Sequence, residues 1–297
     1  MARRKNLVIV RAGDSSLHEE WLQGEGERNW DLIVNYFGDD PERYRKDDIR
    51  RIDSKGPKWP ALHDLIQKLG EDAFGYDYVW LPDDDLRTTK DGINSLFDIA
   101  AKHGLTSSQP ALTRDSHLGH LITLRNRSFH LRFTNFVEIM APCFSRDFLK
   151  QALPSFNENL SGWGLDMLWP TKIADWTRIA IVDAVTVCHT RPLGGPNYRH
   201  LAGTGKTSEQ EAQELVNKYR LSAERPYIRG GIDTTGRRLS IYDSTARDLF
   251  DSIIMGYLPE VGQHPHLLLQ LVRPNLNHLC IGTLSAVPPP PAALRAS

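Results

Sequence analysis

The sequence predicts an α/β protein built on a mixed, mostly parallel sheet flanked by helices. Three observations carry this. Short apolar runs alternate with segments of helical period. The runs close on glycine, proline or aspartate. One of them, Tyr76–Leu81, opens directly onto Pro82-Asp83-Asp84-Asp85. Open α/β sheets bind their ligands at such strand ends.

Taken in order, Leu7–Val10 reads as a buried strand stopped by Ala12-Gly13. Trp30–Tyr36 is a second strand, closed by Gly38-Asp39-Asp40-Pro41. Pro57–Leu69 has apolar residues at Leu62, Leu65, Ile66 and Leu69, a helical spacing, and Gly70 stops it. Tyr76–Leu81 is the third strand. Asp91–His103 is a helix with Ile93, Leu96, Phe97 and Ala100 on one face. Thr134–Met140 reads as a strand, Ser145–Leu153 as a short helix, and Ile179–Val187 as a strand ending at Cys188-His189. Ser208–Tyr219 and Tyr242–Met255 read as helices, and the proline run from Val287 as an extended or disordered tail.

The chain has 297 residues, 40% of them hydrophobic, and a net charge of −1. That suits one large domain with an appendage: residues 1–221 as the main domain and 222–297 as a C-terminal extension. The balanced charge argues against a nucleic-acid surface built on bulk charge. Cys143, Cys188 and Cys280 are scattered and odd in number, which points to a reducing compartment, and no zinc spacing appears. The basic start Met-Ala-Arg-Arg-Lys leads into a run too short for a signal peptide, and no run approaches the ~18 apolar residues of a membrane span. A soluble cytoplasmic protein is expected. Gly203-Thr204-Gly205-Lys206-Thr207 lacks the earlier glycine of a phosphate-binding loop, since His200 stands there.

Three motifs carry chemistry. Adjacent acids repel unless a cation or donor compensates them. Asp83-x-Asp85 therefore suggests a divalent cation holding phosphates, with an acidic turn as the plainer reading. His189, at a later strand end, is a candidate ligand for a first-row metal or a structural imidazole. Gly162-Trp163-Gly164-Leu165-Asp166 lets backbone approach a ligand and offers an aromatic wall for a sugar ring. Asp166 is a candidate base for an acceptor hydroxyl; the alternative is a helix start with a packed Trp. Glu138, in an apolar run, suggests a partner or pocket, and His117 and Asn135 flank the same sheet end.

The order of these motifs resembles that of GT-A type glycosyltransferases, a Rossmann-related fold. Tyr76–Leu81 with Asp83 and Asp85, Val137–Arg146, Gly162–Asp166, and Val182-Asp183-Ala184 with His189, Pro192 and Leu193-Gly194 also resemble the uncharacterised domain-of-unknown-function 707 family. The resemblance implies a GT-A-like catalytic domain that uses Mn²⁺ or Mg²⁺ with a nucleotide-sugar donor, a UDP-sugar favoured, and a glycan or other hydroxyl acceptor. It implies Asp83, Asp85 and His189 as metal ligands, and Arg11, Ala12, Gly13, Asp14, Lys55 and Asp84 on the nucleotide side. Gly162, Trp163, Gly164 and Glu138 would lie on the acceptor side, with Asp166 as base in an inverting transfer. Related galactosyltransferases place several acids after the Gly-Trp-Gly loop, whereas Met167 and Leu168 follow Asp166 here, so Asp166 is either the base or an acceptor-binding residue. The rival readings are a non-catalytic nucleotide-sugar or glycan-binding protein and a metal-dependent phosphoesterase.

Overall fold

The computed structural model describes residues 3–192, 194, 201, 203–222, 224–262 and 264–282. The proline-rich tail and Leu193 lie outside them. The strands are β1 (Asn6–Ala12), β2 (Trp30–Tyr36), β3 (Arg50–Asp53), β4 (Tyr78–Trp80), β5 (Leu86–Arg87), β6 (Ser107–Leu112), β7 (Phe129–Thr134), β8 (Cys143–Ser145), β9 (Ile179–His189), β10 (Ile228–Asp233) and β11 (Arg238–Ser240). The helices are α1 (Lys58–Leu69), α2 (Glu71–Phe74), α3 (Lys90–Lys102), α4 (Arg146–Ala152), α5 (Leu165–Thr171), α6 (Ser208–Tyr219), α7 (Ala246–Val261) and α8 (Pro265–Gly282).

This is the α/β class the sequence predicts. The strands form one mixed sheet in the order β11-β10-β7-β9-β6-β8-β4-β1-β2-β3, with β5 added to β9. β3, β2, β1 and β4 run parallel, as do β6 and β9. Short β8 lies antiparallel to both β4 and β6 and joins the two halves. The period-two alternation of β1 splits its side chains between two cores. Val8 and Val10 pack with Ile93, Leu96 and Phe97 of α3. Leu7 and Ile9 pack with Trp59, Leu62 and Ile66 of α1 and with Leu165 and Trp169 of α5. A third core, under β7, β9 and β10, is closed by α7 and α8. Among the described residues no helix is long and apolar enough to cross a membrane.

Two sequence expectations are corrected. The strand expected at Thr134–Met140 lies earlier, at Phe129–Thr134. Thr134 Oγ1 donates to the Phe136 carbonyl at 2.6 Å and turns the chain. The amide of Glu138 then bonds the Gln109 side chain at 2.6 Å rather than a strand. The helix expected at Tyr242–Met255 runs over Ala246–Val261 instead. Asp243 Oδ1 accepts the Thr245 amide at 2.8 Å, and this local turn delays the helix start.

Arg132, in the middle of β7, hid that strand from sequence reading. Its guanidinium is fully buried and forks onto Asp183 of β9, Nε to Oδ2 at 2.7 Å and Nη2 to Oδ1 at 2.8 Å. Its other donors reach the carbonyls of Ile122 and Leu124 and the Tyr257 hydroxyl on α7. Breaking such a pair leaves an uncompensated buried charge. Asp183→Asn is expected to destabilise the protein by about 3–5 kcal/mol in urea unfolding. A loss below ~1 kcal/mol would contradict this account.

Candidate functional site

The acid turn sits where two ladders end. β4 stops at Trp80, but Leu81 N still bonds Pro142 O at 2.9 Å and Asp83 N bonds Met140 O at 2.8 Å. The chain then re-enters as β5, where Leu86 pairs with His189 and Arg87 with Cys188. This pairing brings Asp85 to His189, and Oδ2 stands 3.3 Å from Nε2. His189 Nδ1 is 2.7 Å from the His117 carbonyl. A carbonyl can only accept, so Nδ1 carries hydrogen and Nε2 is left to face Asp85.

Each aspartate of the turn has its own basic neighbour. Lys58, at the start of α1, donates to Asp83 Oδ1 at 2.6 Å and to Ile139 O at 2.9 Å. Arg191 donates to Asp84 Oδ1 at 3.2 Å, and the Gly13 amide donates to Asp84 Oδ2 at 2.8 Å. His189 faces Asp85. Burial pushes the Asp83 and Asp84 carboxyls up, Asp84 to about 6, against the pull of Lys58 on Asp83 and of Gly13 and Arg191 on Asp84. Asp83 keeps a side chain 37% exposed, so its shift is tempered by solvent. Burial opposes charge on His189, but the Asp85 carboxylate and the His117 carbonyl outweigh it and raise the imidazole to about 9.

A cavity of about 770 Å³ opens over this turn. One end is lined by Arg11, Phe37 and Gly56, the floor by Lys58, Asp83, Asp84, Asp85, His189 and Arg191. The other end holds Glu138, Trp163, Gly164, Asp166, Met167 and Pro170. Arg11 is buried and held by Asn35 Oδ1 at 2.7 Å and by the Ser54 and Gly56 carbonyls, with its guanidinium 5.1 Å from the centre of the Phe37 ring. These acceptors are neutral, and burial lowers it to about 10.

The far wall is fixed from behind. The Leu160 and Ser161 amides both bond Glu211 of α6, and Asn159 bridges the Gly162 amide and the Trp163 carbonyl. Gly162 has φ +82°, and a Cβ there would meet Trp59 at 2.2 Å. Gly164 has φ +90° and caps α5, whose first turn carries Asp166. Burial pushes Asp166 up to about 7, while the amides of Met167, Asp166 itself and Gly164 pull it down. Burial, with Asp166 close by, pushes Glu138 up to about 8.

Other residues expected at the site stand elsewhere. Ala12 is packed in the core, and Asp14 is exposed and accepts the Tyr36 hydroxyl. Gly13 contributes its amide to Asp84. Lys55 does not line the cavity. Its ammonium is bound to the Phe37 and Gly38 carbonyls and Asp39 at 2.6–2.7 Å. Lys58, one turn into the same segment, takes the place inside. Sequence reasoning passed over Lys58, Phe37 and Arg191, although Arg191 stands two residues beyond His189.

Among the described residues, no three His, Cys, Asp or Glu side chains are already arranged to hold a metal ion. Asp83 is turned onto Lys58. The donors nonetheless fit a cation. Asp85 Oδ1 is buried without a hydrogen-bond partner among the described residues, and Nε2 of His189 lies beside the same carboxylate. Oxygen and imidazole donors suit first-row divalent ions.

Glu138 sets a stability slope. Its folded value of about 8 stands above the ordinary 4.5, so the folded state holds a proton that the unfolded chain has lost at neutral pH. Its contribution is complete below the unfolded value and is lost as pH rises towards 8. Glu138→Gln is therefore expected to raise the melting temperature by several degrees near pH 8 and little near pH 4.5, in chelator. Equal shifts at both pH values would contradict the assignment.

Among curated proteins no sequence matches this chain. Two solved structures are similar over most of it. One, named for nucleotide-diphospho-sugar transfer, is from Desulfovibrio desulfuricans G20: TM-score 0.39, 10% identity, covering 73% of this chain and 98% of that one. The other is glucosyl-3-phosphoglycerate synthase from Mycobacterium tuberculosis, solved with Mn²⁺, UDP-glucose and phosphoglyceric acid: TM-score 0.45, 17% identity, covering 80% of this chain and 86% of that one. Likeness at this level carries no argument about activity. The model of a protein family of unknown function, DUF707, matches residues 72–226, more than half of the 297, and spans the acid turn, Glu138, the Gly162–Asp166 loop and His189. The chain belongs to the DUF707 family.

Proposed function

We propose that this protein transfers a sugar from a nucleotide-sugar donor, a UDP-sugar favoured, to an acceptor hydroxyl with inversion, assisted by Mn²⁺ or Mg²⁺. The observation that carries the reading is the meeting of the acid turn, His189 and the Trp163–Asp166 wall in one cavity. Asp85 and His189 would hold the cation, with Asp83 beside them. When bound, such an ion draws charge from a leaving diphosphate. Arg11 and Phe37 would meet the nucleotide at one end, and Arg191 would steady the phosphates. At the other end the acceptor oxygen attacks the anomeric carbon. The bond from that carbon to the diphosphate oxygen breaks, and its electron pair leaves with the diphosphate. The hydroxyl proton passes to Asp166, whose raised value suits a base near neutral pH.

A second reading has one observation in its favour: every aspartate of the turn already has a basic partner. In it, Lys58, Arg191 and His189 hold the diphosphate without a metal. Calorimetry with UDP separates the two. The metal reading expects tighter binding with Mn²⁺ than with chelator, and an Asp85→Asn variant that loses the difference. Binding indifferent to metal would favour the second. A protein that binds UDP but turns over no donor, with or without acceptor, would be a binding protein only.

The base assignment has its own test. Asp166→Asn is expected to lower transfer by about 10²–10⁴-fold while metal-dependent UDP binding persists. Full transfer in that variant would remove Asp166 from the role.

A further inference from the structure

Besides the exposed Glu224, five carboxyl groups line the cavity, and the molecule supplies cations to three of them. Asp83 has Lys58 at 2.6 Å, Asp84 has Arg191 at 3.2 Å, and Asp85 has His189 at 3.3 Å. Glu138 and Asp166 are left. They are 6% and 7% exposed, and among the described residues neither has a basic side chain within ion-pair distance. Asp166 is served by backbone amides of its own helix start. Glu138 is not: its Oε2 is buried without a hydrogen-bond partner among the described residues, on a wall of the cavity. Its backbone is pinned by Gln109, so the side chain is not there by slack in the loop.

We infer that the acceptor carries a protonated amine beside its reacting hydroxyl, and that Glu138 holds that amine. The inference rests on the transferase reading above and narrows it to one acceptor class: amino sugars or amino alcohols. A buried carboxyl must find a cation or stay protonated. A hydroxyl on the acceptor gives a hydrogen bond but leaves the charge. An ammonium gives both, and bonds between charged partners are shorter and stronger than neutral ones. Trp163 lines the same cavity. Met167 and Pro170 bring no charge, and Lys58 and His189 act on Glu138 only from beyond ion-pair distance, each bonded to its own aspartate. Burial and the nearby Asp166 raise Glu138, and His189 and Lys58 offset them only in part. The proton count is consistent. The amine keeps its protons against Glu138 and does not attack. The neighbouring hydroxyl gives its proton to Asp166 and becomes the new glycosidic oxygen.

Three probes test this on the full chain saturated with UDP and Mn²⁺: glucosamine, N-acetylglucosamine and glucose, titrated by calorimetry near pH 7. The acetyl compound keeps the nitrogen and removes its charge. Glucosamine is expected to bind about tenfold or more tightly than the other two, the size of one charged hydrogen bond. Glu138→Gln should abolish that preference, and Glu138→Asp should keep part of it. Equal affinities for the three sugars, or a preference that survives Glu138→Gln, would overturn the inference. So would a second manganese equivalent that Glu138→Gln removes, since the partner would then be a metal. UDP binding in the same titrations reports on the nucleotide reading separately. Its absence would sink that reading, and the sugars titrated without nucleotide would still judge the amine.

Discussion

A guanidinium without water must find acceptors for all five of its N–H groups. Arg132 finds them on three other segments: Asp183 on β9, the Ile122 and Leu124 carbonyls, and Tyr257 on α7. Asp183 is itself completed by the Asn126 amide at 2.7 Å. None of these contacts is local in sequence apart from the two carbonyls. The pair therefore fixes the register of β7 against β9 and ties a helix from the last quarter of the chain to the middle of the sheet. β9 ends in His189, so the position of that imidazole depends on the same anchor.

The cavity floor follows a related rule with a different outcome. Asp83, Asp84 and Asp85 are consecutive, yet they point to three basic partners drawn from α1, from the segment after β9 and from the end of β9. A cluster that would repel itself becomes a junction. Asp84 holds Gly13 after β1, Asp83 holds Lys58 and through it the Ile139 carbonyl, and Asp85 holds β9. The turn thus organises both the Arg11 end of the cavity and the segment that carries Glu138.

Much of this was legible in the sequence because hydrophobic period and position coincide. Trp30–Tyr36 and Ser208–Tyr219 fall where the pattern puts them, and the acid turn follows a strand. What was not legible is polar residues doing buried work. Ser107-Ser108-Gln109 looks like a loop but is the buried start of β6, and Gln109 is there to hold Glu138. Arg132 disguised β7 in the same way. Lys58 was passed over because a lysine in the first turn of a helix usually faces water, and only the fold shows Asp83 opposite it. Glu211, which cradles Leu160 and Ser161, lies some 50 residues away from them, a separation no local pattern can bridge.

The two glycines flanking Trp163 have a consequence for redesign. Gly162 is pressed on the Trp59 ring, and Gly164 on the backbone of Ala212, where a Cβ would come within 3.2 Å of its Cα. The loop is a spacer clamped between α1 and α6, with no room for a side chain at either end. Its backbone cannot be reshaped by substitution at those two positions. Any change in what this end of the cavity accepts must be made through the side chains that project from a fixed frame, at Trp163, Met167 and Pro170.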